Sequence, residues 1–168
     1  MSRAFLKNES ADDPVVIPAR APLPPGVHNY VTPRGLALLR AELAELESEH
    51  ARVQRNETDE TERTRQLALI NGKVGALNQR IGNAHVVNPA NQPPDEIRFG
   101  ASVTVRPKSG PDRRFTLVGV DEADAAHGLI AFTAPLARAM QGKRIGDTVL
   151  LRTTKGEDAF TVAGIQYK

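Results

Sequence analysis

Two runs of apolar residues, spaced alternately three and four residues apart, lie on either side of a short acidic segment. They comprise Leu36, Leu39, Leu43, Leu46 and Val53, with His50 in register, and then Leu67, Ile70, Val74, Leu77, Ile81 and Ala84. A repeat that averages 3.5 residues aligns its members along one narrow face of a helix. Because the polar link is so short, two such faces can bury each other only by folding back antiparallel. The pattern therefore predicts a hairpin of two helices within one chain.

The bend of this hairpin is rich in carboxylates. Pairing Val53 with Leu67 places the bend near Glu60. The acidic residues around it are Glu57, Asp59, Glu60 and Glu62. The chain is therefore expected to present a cluster of negative charge at the end of a pair of helices.

Local signals define the helix ends. Thr32 is a suitable N-cap and Pro33 a suitable first residue, so helix 1 is predicted over residues 33–58. Asp59, followed three residues later by a glutamate, resembles a capping box, so helix 2 is predicted over residues 59–82. Helix 2 contains three glycines, each of which costs about 1 kcal/mol relative to alanine. We therefore expect helix 2 to depend on helix 1 for its stability.

Composition excludes several classes of protein. The chain of 168 residues has no cysteine, which excludes disulfides and thiolate metal sites and is compatible with a reducing cytoplasm. There is no apolar run of membrane-spanning length and no signal-peptide core, so a cytoplasmic protein without membrane contact is expected. A net charge of +2 is too small to indicate a basic nucleic-acid-binding arm. The histidines share no ligand spacing and no nucleophile motif is present, so no intrinsic catalytic residue is predicted.

The rest of the chain divides by composition. Five prolines before residue 26 predict a disordered leader over residues 1–31, and the helical hairpin follows over residues 32–87. Residues 88–96 form a proline-containing linker. From residue 97 onward apolar residues alternate with a period of two, apart from the helix-like segment Pro135–Met140. The C-terminal domain, residues 97–168, is predicted to be an antiparallel five-stranded sheet with one short helix, which makes the chain an α+β protein.

Several spaced motifs occur together in this order. They read Val-Thr-Pro-Arg-Gly-Leu at residues 31–36, Asn-Ala-His-Val-Val at 83–87, Phe-Gly-Ala-Ser-Val-Thr-Val at 99–105, Val-Gly-Val-Asp-Glu-Ala-Asp at 118–124, Ala-Pro-Leu-Ala-Arg-Ala-Met at 134–140 and Gly-Asp-Thr-Val at 146–149. With these motifs the chain, from residue 31 to its C-terminus, resembles the GreA/GreB family of transcription elongation factors.

The resemblance implies a factor that acts on bacterial RNA polymerase. In the family, a coiled-coil hairpin enters the secondary channel of the polymerase and an FKBP-like C-terminal domain grips the channel rim. Acidic residues at the hairpin tip help to hold a second Mg²⁺ in the polymerase active site, which promotes hydrolysis of the 3′ end of a backtracked transcript. Paired metal ions are well suited to such phosphoryl transfer. The factor is then not itself an enzyme and contacts transcript and DNA only through the polymerase.

Transferred residue by residue, the resemblance assigns two sites. Asp59 and Glu60 become candidate Mg²⁺ ligands in trans, with Glu57 and Glu62 nearby. The candidate polymerase contacts are Thr133, Ala134, Pro135, Leu136 and Arg138. The chain needs no cofactor of its own on this interpretation, and at most shares the Mg²⁺ of the polymerase.

The predicted hairpin departs from the family at its tip. The family motif Gly-Asp-Leu-x-Glu-Asn, followed by an aromatic residue, is absent from residues 56–62, and each arm is several residues shorter. A rod that is two turns short ends about 11 Å away from its target, whereas Mg²⁺ ligation needs contact at about 2.1 Å. We therefore expect weak or absent stimulation of transcript cleavage.

Three functions remain open at this point. The chain is a cleavage-stimulating elongation factor, a channel-occupying inhibitor or competitor that does not stimulate cleavage, or an FKBP-like prolyl isomerase or chaperone. The third needs an aromatic-walled pocket, and most of the aromatic residues in the C-terminal domain fall on core-facing strand positions. A dimerising coiled coil is the alternative to the intramolecular hairpin.

The mirrored repeats yield a test of the intramolecular pairing. Leu43 and Leu77 are expected in the same central layer, so Leu43→Ala should lower the free energy of unfolding by about 2–3 kcal/mol through the cavity it opens. Sedimentation should show a monomer, and a stable dimer held by the two helices would contradict the prediction.

Overall fold

The structure is a computed structural model that describes residues 15–17 and 20–168. Contacts divide the chain into two units. The helical unit contains Leu39–Gly82 together with the described residues before Leu23. The sheet unit contains Leu23–Leu38 and Asn83–Lys168, so the first turns of the first helix belong to it.

The two predicted helices are present, with small shifts at their ends. Helix α1 is Pro33–Asn56 and helix α2 is Glu60–Gly82, joined by residues 57–59. The most buried apolar side chains of the two helices are Leu39, Val53, Ile70 and Leu77. All four belong to the predicted 3.5-residue repeats. Helix α1 ends two residues earlier than expected, and α2 begins one residue later because Asp59 is its cap rather than its first residue.

Part of the leader lies against the helices of this unit. The Arg20 guanidinium donates two hydrogen bonds to the Glu42 carboxylate, at 2.8 and 2.9 Å, and the backbone carbonyl of Ala21 accepts one from the buried Arg80. The side chain of Ile17 occupies the space beside Gly72, where an added Cβ would lie 1.9 Å from Ile17 Cδ1. The leader therefore contacts both α1 and α2.

These contacts correct the predicted leader. A disordered segment over residues 1–31 was expected, and residues 1–14, 18 and 19 lie outside the described residues. The prediction is wrong for residues 20 and 21, whose polar groups find partners on the helices, and for Asn29–Val31, which forms strand β1. Proline prevents helix but does not prevent an extended segment from hydrogen bonding through its side chains and carbonyls.

The sheet unit contains seven strands. They are β1 (Asn29–Val31), β2 (Ala84–Val86), β3 (Ser102–Pro107), β4 (Arg113–Val118), β5 (Leu129–Ala131), β6 (Thr148–Thr153) and β7 (Gly156–Gln166). Strands β1 and β2 form a parallel pair, and the other five form one sheet in the order β5-β4-β3-β7-β6. A register shift between Thr104 and Val105 interrupts the β3–β7 ladder, as a β-bulge does.

The sheet is mixed rather than antiparallel, which corrects the predicted fold class in this detail. Strand β5 pairs parallel with β4, while the other three pairings are antiparallel. The reason is the connection: residues 119–128 include a 3₁₀ turn at Ala125–His127 and return the chain to the level of Thr116, where β5 begins. A tight hairpin would have reversed the strand direction.

The core of the sheet unit lies between the sheet and helix α3 (Pro135–Met140). It is formed by Ile97, Ala101, Val103, Val105, Phe115, Leu117, Ala137, Met140, Val149, Phe160 and Val162. Ala137 and Met140 are fully buried on α3, as the period of the helix requires for a face directed at the sheet. In the described part of the chain, no helix combines the length and the apolar character needed to cross a membrane.

The segment that was expected to be a linker is structured in this unit. Residues Pro89–Asn91 form a 3₁₀ turn, in which the Asn88 side chain accepts a hydrogen bond from the Ala90 N–H and Pro89 is buried. Close packing also occurs after β4, where a Cβ added to Gly119 would lie 2.5 Å from the Tyr30 carbonyl oxygen. A glycine at this position therefore permits β1 to approach.

Two glycines of α2 form a matched pair for a stability test. Gly75→Ala should raise the free energy of unfolding by about 1 kcal/mol, because alanine favours helix and no atom lies within 4 Å of the added methyl group. Gly72→Ala should gain less or lose stability, because its methyl group would displace Ile17. Urea unfolding measures both. In an Ile17→Ala background, Gly72→Ala should raise the free energy of unfolding as much as Gly75→Ala does, because the obstructing side chain is gone. Equal gains for the two single variants would show that Ile17 does not pack on Gly72.

Candidate functional site

The acidic tip of the helical unit is organised by its own hydrogen bonds. The Asp59 carboxylate accepts from the Glu62 backbone N–H at 2.9 Å, which makes Asp59 the N-cap of α2. The Asp59 N–H donates to Glu57 Oε1 at 3.0 Å. The predicted capping box is therefore only half formed, because Glu57 takes the part expected of Glu62.

Glu62 is instead paired along α2. Its carboxylate accepts from the Arg65 guanidinium at 2.8 and 3.1 Å and from the Gln66 side-chain amide at 2.8 Å. The hydrogen bond from Arg65, and then that from Gln66, lowers the pKa of Glu62 from 4.5 to about 2. Glu62 therefore stays ionised and paired at neutral pH.

The four tip carboxylates do not converge on one point. Within residues 15–17 and 20–168, no three acidic or histidine side chains are grouped so as to hold a metal ion. Glu60 is exposed, and within the same ranges it is the tip carboxylate whose side chain makes no hydrogen bond or ion pair. Mg²⁺ at the tip would therefore need most of its oxygen ligands from another molecule.

The second candidate site surrounds the start of α3 in the sheet unit. Pro135 and Arg138 are exposed and Thr133 is half-buried, whereas Ala134 and Leu136 pack partly against the core. The chain reaches this point along β5, and Pro135 is the first residue of α3. The structure therefore offers three of the five predicted contact residues to a partner.

A groove of about 380 Å³ runs beside these residues. Its walls are Pro24, Val27, Phe132, Thr133, Arg138 and Gln141. Pro24 and Val27 were not among the predicted site residues, because the whole leader was expected to be disordered. The signal was nevertheless present, since Pro-Pro-Gly at residues 24–26 is typical of a tight turn.

Aromatic side chains form a cluster next to this groove. The rings of Tyr30, Phe99 and Phe132 contact one another at centroid distances of 5.5–5.9 Å, in tilted or edge-to-face geometry. All three line a cleft of about 490 Å³. Phe99 and Phe132 are nearly buried, so most of their surface packs within the unit.

A buried carboxylate fixes the beginning of α1 within the sheet unit. Glu122, only 4% exposed at its side chain, accepts from the Thr32 hydroxyl at 2.5 Å and from the Arg34 guanidinium at 2.8 Å. The Thr32 hydroxyl oxygen in turn accepts from the Gly35 N–H at 2.9 Å, which confirms Thr32 as the N-cap. In the sequence, Glu122 stands out only as part of a motif. Its role could not be predicted, because its partner Thr32 lies 90 residues away.

Comparison with known proteins decides the family. The model of the family "Transcription elongation factor, GreA/GreB, C-term" matches residues 92–167. The transcription elongation factor GreB of Pseudomonas aeruginosa is 37% identical over 150 residues, covering 82% of this chain and 89% of that protein. This chain belongs to the GreA/GreB family. The resemblance found in the sequence is thereby confirmed.

A second sequence relative agrees with this GreA/GreB assignment. The transcription elongation factor GreA of Francisella philomiragia subsp. philomiragia is 31% identical over 154 residues, covering 82% of this chain and 96% of that protein. A crystal structure of GreA factor homolog 1 (Gfh1) of Thermus thermophilus aligns with a TM-score of 0.39 at 21% identity, covering 83% of this chain and 99% of that one. The assignment to the GreA/GreB family depends on the sequence relatives.

Glu122 provides a stability prediction for this GreA/GreB protein. Glu122→Ala should lower the free energy of unfolding by about 1–3 kcal/mol, because it removes the buried carboxylate that accepts the hydrogen bond of the Thr32 hydroxyl. Asp124→Ala, two residues away and exposed, is the matched control and should change stability by about 0.5 kcal/mol or less. Urea unfolding of both variants checks the difference, and equal effects would contradict the role of Glu122.

The tip provides a pH prediction. Because the pKa of Glu62 is lowered, the stabilisation that its pairing contributes is present above pH 4.5 and is lost as the pH falls toward about 2. A side-chain ¹³C NMR titration should place the midpoint of Glu62 near 2. In Arg65→Ala the midpoint should move up toward 4.5, and an unchanged midpoint would show that Arg65 is not its cause.

Proposed function

We propose that this GreA/GreB-family chain binds bacterial RNA polymerase as a monomer and regulates elongation of paused or backtracked complexes through the secondary channel. The observation that carries the proposal is the likeness to the GreB of Pseudomonas aeruginosa, which extends over 82% of the chain and so includes both units. The exposed Pro135 and Arg138 support contact through the sheet unit.

The helical unit is the part proposed to enter the channel as an antiparallel coiled coil. Its buried positions follow a 3.5-residue repeat, and the three-residue link suits helices that reverse direction. With 24 and 23 residues, α1 and α2 are each about 35 Å long. The sheet unit, an FKBP-like domain in this proposal, then contacts the channel rim.

The chain is proposed to act without enzymatic activity of its own and in the cytoplasm, where the polymerase is found. At most it stimulates the transcript-cleavage activity of the polymerase. The prolyl isomerase alternative receives no support from the aromatic cluster, because two of its three rings are nearly buried by packing on each other and on Tyr30.

Channel occupancy without strong cleavage stimulation is the form of regulation that the tip favours. Asp59 caps α2, Glu57 accepts the N–H of Asp59, and Glu62 is paired with Arg65. Oxygen atoms that already accept hydrogen bonds within the tip are less available to a metal ion. The factor would then act by excluding other ligands of the channel, such as cleavage factors and nucleotide-sized effectors.

A pair of substitutions that removes negative charge at the tip tests this form of regulation. Asp59→Asn with Glu60→Gln removes both negative charges, while asparagine retains the ability to cap α2. Polymerase affinity and any effect on elongation should remain within about twofold of the wild type. Transcript-cleavage assays on stalled complexes, with and without the protein, provide the measurement.

The opposite outcome is equally clear. If the wild type stimulates cleavage strongly and the double variant abolishes it, the chain is a working cleavage factor with an unusual tip. Gln54→Asn, in the exposed part of α1 near the tip, serves as a control that changes no charge.

Polymerase binding itself is tested at Arg138. Arg138→Glu in the full chain should weaken capture of core RNA polymerase by about tenfold or more, because it reverses the charge at the proposed contact. Lys155→Glu makes the same charge change in the exposed β6–β7 turn and should have little effect. Failure of the wild type to capture the polymerase would overturn the proposal.

A further inference from the structure

The leader contains a hydrogen-bonded turn, residues 24–27, that belongs to the sheet unit. The Val27 N–H donates to the Pro24 carbonyl at 3.1 Å, and Gly26 has a φ of 76°. Proline at the second position and a glycine with positive φ at the third are the features of a type II β-turn. The proline ring fixes its own φ, and the hydrogen bond from Val27 closes the turn, so the turn needs little further ordering when it meets a partner.

This turn forms one side of the groove at the start of α3. Pro24 and Val27 are on one side, and Thr133 and Arg138 are among the residues on the other. All of these residues belong to the sheet unit. The turn therefore extends the surface that the proposed function assigns to polymerase binding, with two apolar side chains that lie more than 100 positions earlier in the chain.

The chemistry of the groove indicates what it can accept. Pro24, Val27 and Phe132 provide apolar surface, while Arg138 is an exposed cation. Within residues 15–17 and 20–168, no carboxylate lies within ion-pair distance of the Arg138 guanidinium. Arginine beside apolar surface is a typical anchor in protein interfaces, and an incoming carboxylate is its preferred partner.

We propose that residues 24–27 form a wall of the polymerase-binding groove, and that the groove takes a polymerase segment carrying an acidic side chain beside an aliphatic one. The inference depends on the proposed function and names the chemistry of the partner at the same site. The aliphatic side chain packs against Val27 and Pro24, and the acidic side chain pairs with Arg138. The leader is thus part of the binding surface rather than a tail added to it.

Substitutions of opposite charge at Val27 test whether residues 24–27 contact the polymerase and whether the contacted segment is acidic. In Val27→Asp, the new carboxylate repels an acidic partner and competes for Arg138, so affinity of the full chain for core RNA polymerase should fall about tenfold or more. In Val27→Lys, the lost apolar contact is offset by attraction to the acidic partner, so the loss should stay within about threefold. Val16→Asp and Val16→Lys are the matched controls, because Val16 lies in the same leader and is 80% exposed.

Biolayer interferometry with immobilised polymerase gives the affinities, and thermal unfolding checks that each variant is folded. Should Val27→Asp be unstable, Pro24→Asp places the same charge on the same wall. If the losses of affinity at residue 27 match those at residue 16, the leader is not part of the binding surface. If aspartate and lysine at residue 27 lower the affinity equally, the partner segment is not acidic.

The result also separates this inference from the proposed function. If the wild type binds the polymerase and the Val27 variants behave like the Val16 variants, only the inference fails. If the wild type does not bind, the proposed function fails first.

Discussion

The hydrogen-bonded carboxylate of Glu122 is the interaction on which the arrangement of the sheet unit depends. It joins the chain after β4 to the N-cap of α1, through the hydroxyl of Thr32 and the guanidinium of Arg34. A carboxylate so deeply buried is tolerated because both of its oxygens accept hydrogen bonds and one faces a cation. The same contact brings β1 beside Gly119, where the absence of a side chain permits close approach. The sheet unit consists of two chain segments, Leu23–Leu38 and Asn83–Lys168, which the helical unit separates in sequence. Glu122 connects these two segments.

Local periodicity explains why the helices were predictable. The buried side chains of the two helices follow a 3.5-residue repeat, which aligns them on one face of a helix; they are Leu39, Val53, Ile70 and Leu77. The helix starts were also predictable, because Thr32 and Asp59 cap backbone N–H groups only three residues away. The strand segments were also predictable, because alternation is a local signal. The direction of β5 was not, since it depends on the path of a ten-residue connection rather than on the composition of the strand.

Long-range partners explain most of what the sequence did not reveal. Arg20 pairs with Glu42, and Pro24 lies beside residues near 135, but nothing in the leader itself identifies these partners. The tip shows a related difficulty. Four carboxylates in six residues indicate negative charge. Two of them accept backbone N–H groups at the start of α2, and Glu62 accepts from side chains further along the helix. Sequence therefore predicted both candidate sites but could not decide which of their atoms already accept hydrogen bonds.

The proposed function gives the groove a binding role and the tip a regulatory role, and the two sites differ in chemistry. The groove combines apolar walls with an exposed arginine, which suits a stable contact with a protein surface. The tip is acidic and largely self-paired, which suits a segment that fills a space and excludes competitors more than one that assembles a metal site. The proposed function accordingly assigns the tip and the groove to different parts of the polymerase.

Site-specific photo-cross-linking in complexes with core RNA polymerase tests whether the tip enters the secondary channel while the groove contacts its rim. A photoreactive amino acid replaces Glu60 in one protein and Gln141, which lines the groove, in another, and the cross-linked polymerase peptides are identified by mass spectrometry. Position 60 should cross-link to residues lining the interior of the secondary channel, and position 141 to residues on its rim. Cross-links from position 60 to the outer surface of the polymerase alone would contradict this prediction.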